Sequence, residues 1–253
     1  VCLSLVLTIP AFSQTLSSSS QAQTLLQNSL AALTRRQSIT DVTLSGSAHR
    51  IAGSDDESGT FLLRAVSAGS SRLDLTLSQG PRSEIRSVSS TSLAGSWSGP
   101  DGTIHTMPLH NLLTDAWYFP TTDLEAAMAN QNYVQSFIAT ETQNSASVQH
   151  LRFYEQSLGK QQSIELTKHL STVDLYLDSS TLLPVSVSLN THPDDNGSLD
   201  ISVQILFSDY RSVSGALFPF HIQKYLNGTL LLDLQVQSVA TNTGLSASLF
   251  NVQ

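Results

Sequence analysis

The sequence predicts a mainly β fold with α: a strongly curved antiparallel sheet forming an unclosed β-barrel, with an N-terminal amphipathic helix and a partly helical insertion as lid or plug. Three observations carry this. Apolar and polar residues alternate along many short runs, the period of a half-buried strand. Turn-forming residues separate these runs at hairpin spacing, too short for the crossovers that parallel strands need. One leading segment alone has a clear helical spacing.

The chain opens with "VCLSLVLTIPAFSQT". Val1–Phe12 is apolar and too short to span a bilayer. Ala11-x-Ser13 suits cleavage before Gln14, so residues 1–13 read as an export signal. No basic stretch precedes it, and the start reads as truncated. The bland alternative is a buried N-terminal strand. Residues 14–24 are rich in Ser and Gln and read as a disordered linker. In "QTLLQNSLAALTRR", Leu25, Leu26, Leu30 and Leu33 share one helical face, and Arg35 and Arg36 suit the negative end of the helix dipole. This predicts one helix over Gln21–Arg36.

From Asp41 the period becomes two. "DVTLSGSAHRIA", "GTFLLRAVSAG", "SSRLDLTLSQG" and "PRSEIRSVSS" read as strands joined by turns such as "GSDDESG" and "SQGPR". Residues 95–145 are less regular and read as an insertion, with a turn at Pro100-Asp101-Gly102, a helical piece near His110–Trp117 and a helix-forming "TTDLEAAMANQ". Strands resume through "SVQHLRFYEQ", "STVDLYLD", "LLPVSVSL", "LDISVQILF", "ALFPFHIQKYL" and "TLLLDLQVQSV". Asn227-Gly228 is a type I′ hairpin signal. The total is roughly ten strands in a single domain over residues 25–253.

Composition excludes several functions. Charged residues are 13% and the formal charge is −8. Clustered Lys and Arg are what phosphate binding needs, so a nucleic-acid partner is not expected. Cys2 is the sole cysteine. It lies in the segment read as removed, so neither a disulfide nor a Cys-based metal site is expected in the mature chain. No later stretch reaches 18 apolar residues, so the exported product is expected to be soluble.

Catalytic patterns are weak. His105 and His110 flank Pro108, with Asp101 and Asp115 nearby, but their spacing fits no zinc pattern. His49, His150, His169 and His221 read as polar groups on or beside strands, and His192 as a turn residue. "GSWSG" puts Trp97 where a nucleophile elbow needs serine. "HPDDNGS" lacks the alternating acids and closing Glu of a calcium loop. Asp55/Asp56 and Asp194/Asp195 sit in loop tips, where acids are normally solvated. The expectation is therefore a protein that is not an enzyme and has no cofactor or metal.

The sheet's apolar face is more informative. Ile201, Val203, Ile205 and Phe207 share a face, as do Phe218, Phe220 and Ile222, and Val185, Val187 and Leu189. A helix of about sixteen residues is about 24 Å long and cannot cover a sheet of roughly ten strands. Trp117, Tyr118 and Phe119 read as a plug at one end of the core, or as a lid over a cavity. Any surface still uncovered is costly at about 25 cal/mol per Å². An apolar ligand would relieve that cost.

The C-terminal half carries a resemblance. "VDLYLDSSTLLPVSVSL" resembles the strand–LDxxTxLP–strand hairpin of LolA/LolB-type periplasmic lipoprotein carriers, and "SDYRSVSGALFPFHI" resembles the DYRxVxGxxxP hairpin common in related exported proteins. The match covers about residues 170–250; the N-terminal half matches by pattern only, and the 95–145 insertion is a departure. The resemblance implies an unclosed barrel whose concave face binds acyl chains beneath a helical lid.

The resulting expectation is a periplasmic, monomeric carrier-like protein that binds a lipid or a lipoprotein acyl chain. The inward positions Leu73, Leu75, Leu77, Val185, Val187, Ile201, Ile205 and Phe220 would line the site, with Trp117 and Phe119 near the mouth. One alternative is an envelope protein-interaction or sensing module on the same fold with a filled core. Another is a hydrolase using His105 or His110 with nearby Asp and Ser.

Overall fold

The computed structural model describes residues 17–89, 92–114 and 116–252. The predicted signal at 1–13 and the start of the predicted linker lie outside these residues. α1 (Ser18–Thr34) opens the described chain. It starts before the predicted Gln21 and takes in residues read as disordered linker. The serine run has a local use: Ser17 is extended, and its hydroxyl accepts from the backbone N–H of Ser20 as an N-cap. Ala22, Leu26 and Leu33 of this helix are fully buried.

Among the described residues thirteen strands form one antiparallel sheet that does not close into a barrel. The chain enters at its middle with β1 (Asp41–Ala52). It then meanders outward through β2 (Asp55–Val66), β3 (Ser71–Leu77), β4 (Gly80–Val88), β5 (Leu93–Ser98) and the short edge strand β6 (Ile104–Thr106). A crossover holding α2 (Pro120–Ala129) leads to the opposite edge, β7 (Tyr133–Gln143). From there β8 (Ala146–Glu155), α3 (Gln161–Ser171), β9 (Val173–Asp178), β10 (Pro184–Thr191), β11 (Ile201–Val213) and β12 (Ala216–Leu226) lead back inward. β13 (Thr229–Thr241) ends beside β1.

This topology corrects the reading of residues 95–145 as an insertion on the sheet. β5, β6 and β7 belong to the sheet, and the rest is the connection between its two edges. Because that connection passes over the inner face, Trp117, Tyr118 and Phe119 are carried into the core. The predicted helical piece near His110–Trp117 shrinks to a single 3-10 turn, Leu109–Asn111. α2 forms with Pro120 at its first position, and the Asp123 carboxylate accepts from the N–H of Phe119 at 2.9 Å. α3 was not predicted. Its sequence is largely polar, and Leu170 is its one buried apolar side chain.

The turns follow their local chemistry. Asn227 and Gly228 both have positive φ, 47° and 77°, as a type I′ turn requires. At the β9–β10 hairpin Asp178 Oδ1 accepts from the N–H groups of Ser180 and Thr181, so this part of the carrier-like motif is turn chemistry. Gly46 lies at a register shift between β1 and β13, where a Cβ would sit 2.0 Å from the carbonyl oxygen of Gln235. A glycine is the residue that lets the strands approach there.

The outer face carries histidines in cross-strand pairs. His49 Nε2 is 2.6 Å from Asp56, His150 is 2.7 Å from both Glu141 and Asp174, and His221 is 3.1 Å from Asp233. Asp41 ties β1 to the end of β13. Its carboxylate accepts from the N–H and hydroxyl of Thr243 and from the N–H of Gly244, at 2.8–2.9 Å. Burial pushes this carboxyl up, but the Thr243 and Gly244 donors outweigh it and hold it below its ordinary value. A depressed carboxylate stabilises the fold above its unfolded pKa of about 3.9, and that contribution is lost as pH falls through the folded value. Asp41→Asn turns an amide N–H₂ toward one of these donors. It is expected to lose about 1–3 kcal/mol at neutral pH. In urea titrations the gap from wild type should narrow on acidification below pH about 4; a gap independent of pH would remove the charge from this account.

Candidate functional site

Most of the inner face is filled. Between Phe119 and Val42, Leu44, Phe218 and Pro219 the free space is about 10 Å³, room for one water at most. A hollow of about 290 Å³ remains where β1, β3, β4 and β5 face the β12–β13 hairpin. Register places Leu73, Leu75, Arg82, Glu84 and Trp97 on one face: Leu73 pairs with Glu84, Leu75 with Arg82, and Glu84 with Trp97. Leu73, Leu75, Leu231 and Leu232 supply the apolar lining, with Trp97 and Tyr118 as aromatic walls. Clefts of about 740 and 590 Å³ lie beside α2 and β7, with many serines, asparagines and glutamines in their walls.

The hollow's other wall is charged. Glu57 is fully buried and accepts from Arg50 at 3.0 Å and from Arg82. Its second oxygen, Oε2, and Arg82 Nε have no hydrogen-bond partner among the described residues. Lys224 Nζ donates to the Tyr118 hydroxyl at 3.2 Å, and Arg86 Nε donates to Glu84 at 3.2 Å. Burial works against the charge on Lys224, but Tyr118 and Glu84 outweigh it and raise its pKa. Burial likewise works against ionised Glu84, and Lys224 and Arg86 outweigh it. Both groups therefore stay ionised at neutral pH. Burial raises the Tyr118 phenol, which stays protonated. Arg50, Arg82, Arg86 and Lys224 thus stand against the carboxylates of Asp55, Glu57 and Glu84, leaving one excess positive charge beside an apolar surface.

Of the residues expected to line a groove, Leu73 and Leu75 line this hollow. Leu77, Val187, Ile205 and Phe220 are buried in the packed core. Val185 and Ile201 are only half-buried. Val185 falls at a register shift in β10, which breaks the simple alternation. Trp117 and Phe119 are 1% and 3% exposed, so they fill the core where a mouth was expected. Trp97 is the aromatic side chain at the hollow that solvent reaches, and His105 stacks on it at 4.1 Å. His110 Nε2 donates to the carbonyl of Pro193 at 3.1 Å. The two histidines of the hydrolase reading thus have other partners, and Asp115 lies outside the described residues.

Sequence reading missed the charged wall. Arg50, Glu57, Arg82, Glu84 and Lys224 come from four strands, and only the register joins them. Their signal was present: each stands in phase with an apolar inner face, as Glu84 does opposite Leu73. It also missed the grouping of His169, His192 and Asp200, whose ligand atoms lie within 4.8 Å of one another.

No family profile matches the chain, and no curated protein matches it. Solved structures do. A domain from Vibrio parahaemolyticus described as an outer membrane lipoprotein-sorting protein domain is 13% identical with a TM-score of 0.55, over 91% of this chain and 97% of that one. A DUF1329 family protein from Desulfovibrio piger is 10% identical with a TM-score of 0.60, over 94% of this chain and 100% of that one. A LolA superfamily protein from Nitrosomonas europaea is 13% identical with a TM-score of 0.53, over 91% of this chain and 97% of that one. At these identities the likeness is one of fold, and it is the carrier-type fold that residues 170–250 resemble.

Proposed function

We propose that this chain, folded like the LolA-superfamily and lipoprotein-sorting structures, is an exported, non-catalytic carrier. It takes one acyl chain of a lipid or lipoprotein into the hollow beside Leu73, Leu75, Leu231 and Leu232. The carrying observation is that hollow: about 290 Å³ beside a core that is otherwise filled, apolar on one wall and cationic on the other. The volume is near the bottom of the range of about 300–1,000 Å³ for ligand pockets, which favours one chain over a whole multi-chain lipid. Arg50, Arg82 and Lys224 suit a carboxylate or phosphate at the chain's head. Export rests on the reading of residues 1–13.

The second reading, a protein-interaction or sensing module, is favoured by the Trp117–Phe119 plug that fills the rest of the face. A fluorescent fatty acid separates the two. Wild type is expected to bind one equivalent, and lipid should be recovered by mass spectrometry from protein isolated with the cell envelope. Leu75→Trp should fill the hollow and weaken binding at least about tenfold, with a melting temperature near that of wild type. Lys224→Met should weaken a fatty acid about tenfold, the value of one charge-assisted hydrogen bond, and leave the matching fatty alcohol unchanged. No probe binding by wild type, or equal binding by Leu75→Trp, overturns the carrier reading.

A further inference from the structure

His169, in the last turn of α3, and His192 and Asp200, at the two ends of the β10–β11 loop, meet at one point. The Nε2 atoms of both histidines lie 3.0 Å from the same oxygen, Asp200 Oδ1. We propose that these three side chains form a binding site for one Zn²⁺ ion, clasping α3 to the β10–β11 loop.

The donor set suits that ion. Two imidazoles and a carboxylate are ligands for zinc and its transition-metal neighbours, whereas Ca²⁺ and Mg²⁺ prefer oxygen shells. Bonds of about 2.0–2.2 Å put tetrahedral ligand atoms about 3.3–3.5 Å apart. Two separations, at 3.0 Å, need only slight opening, and with every ligand atom within 4.8 Å of the others the remaining one needs only a small closure. The exposed partners can make that adjustment: the side chains of His169 and Asp200 are 45% and 42% exposed. Three protein ligands leave a fourth position for water.

The third ligand is held rigidly. The His192 side chain is wholly buried. Asn111 grips its backbone from both sides, accepting from the His192 N–H at 2.9 Å and donating to its carbonyl at 2.8 Å. His110 packs edge-on against the ring with centroids 5.8 Å apart. His192 Nδ1 is buried without a hydrogen-bond partner among the described residues, so the ring's one polar contact is made through Nε2, the atom that faces the site. That contact is shared with His169 at one carboxylate oxygen, and a metal ion between the three ligand atoms would replace both hydrogen bonds with coordinate bonds that stabilise the folded chain.

The test uses protein without a histidine tag, stripped with a chelator and titrated with zinc chloride by calorimetry. Wild type should bind one equivalent and melt at a higher temperature with zinc than without. His169→Gln and Asp200→Asn change exposed side chains, so both variants should fold, and each should bind zinc at least about tenfold more weakly. His49→Gln, on the outer face, should bind as wild type does. Zinc uptake unaffected by both ligand substitutions, or no uptake by wild type, overturns the proposal. The second result would leave the cluster as a histidine–carboxylate clasp.

Discussion

Replacing Trp117 with alanine is expected to destabilise the protein by about 3–5 kcal/mol, the range for deleting a large buried aromatic. The indole is 1% exposed and stacks on Phe153 with centroids 6.1 Å apart and planes 10° apart. It belongs to the crossover between the sheet's edges, so its loss opens a cavity beneath that segment. In a chain of this size the melting temperature should fall by about 10 °C. Trp117 also has φ of 52°, a left-handed conformation that a bulky residue rarely adopts. Glycine relieves that strain but alanine does not. Trp117→Gly should therefore be no less stable than Trp117→Ala, the reverse of the usual order for these two residues in regular structure. Urea denaturation of both variants measures this. A loss under about 1 kcal/mol for Trp117→Ala would mean that the plug does not hold the crossover down.

Replacing Glu57 with leucine is expected to have an effect of similar size with a different origin. The carboxylate is fully buried between Arg50 and Arg82, whose side chains are 23% and 13% exposed. Removing it leaves two cations in a poorly hydrated place, a change of about 3–5 kcal/mol when one partner of a buried ion pair is deleted. Replacing Arg50 and Arg82 with methionine alongside Glu57→Leu should recover most of the loss, because the one carboxylate then left without its partner, Asp55, is 42% exposed. Under the carrier reading, the triple variant should bind an acyl probe with a weaker preference for an anionic head, the part that remains coming from Lys224. Full stability of Glu57→Leu alone would show that solvent reaches the arginines more freely than their burial implies.

Much of the architecture was legible because strands and turns are local. The alternation Leu73-x-Leu75-x-Leu77 marks one strand and its inner face without reference to the rest of the chain. Asn227-Gly228 marks a hairpin because only a few residues tolerate positive φ at both positions. The leading helix was found from its leucines and misplaced at its start, since a serine run reads as disorder until one serine is seen capping it. α3 was missed although its few apolar residues fall at helical spacing, because the segment is mostly polar and buries only Leu170 among its apolar side chains.

The site was less legible, for a reason of distance along the chain. Leu73 and Leu75 were found from their own strand. Lys224 reaches Tyr118 across 106 positions and Arg82 reaches Glu57 across 25, and no local pattern encodes such pairings. A charged residue in phase with an apolar face looked like an interruption, when it was the polar wall of a hollow.

By itself the sequence determined that this chain builds an antiparallel, hairpin-connected sheet with a leading helix against an apolar face, because backbone preference and side-chain period act over a few residues. The tertiary structure alone decided which part of that face is filled and which stays open. The crossover between the edges carries Trp117 and Phe119 into the core, and the register sets Arg82, Glu84 and Lys224 around what is left. Packing of segments remote in sequence settles such volumes, because a void is defined by all of its walls at once.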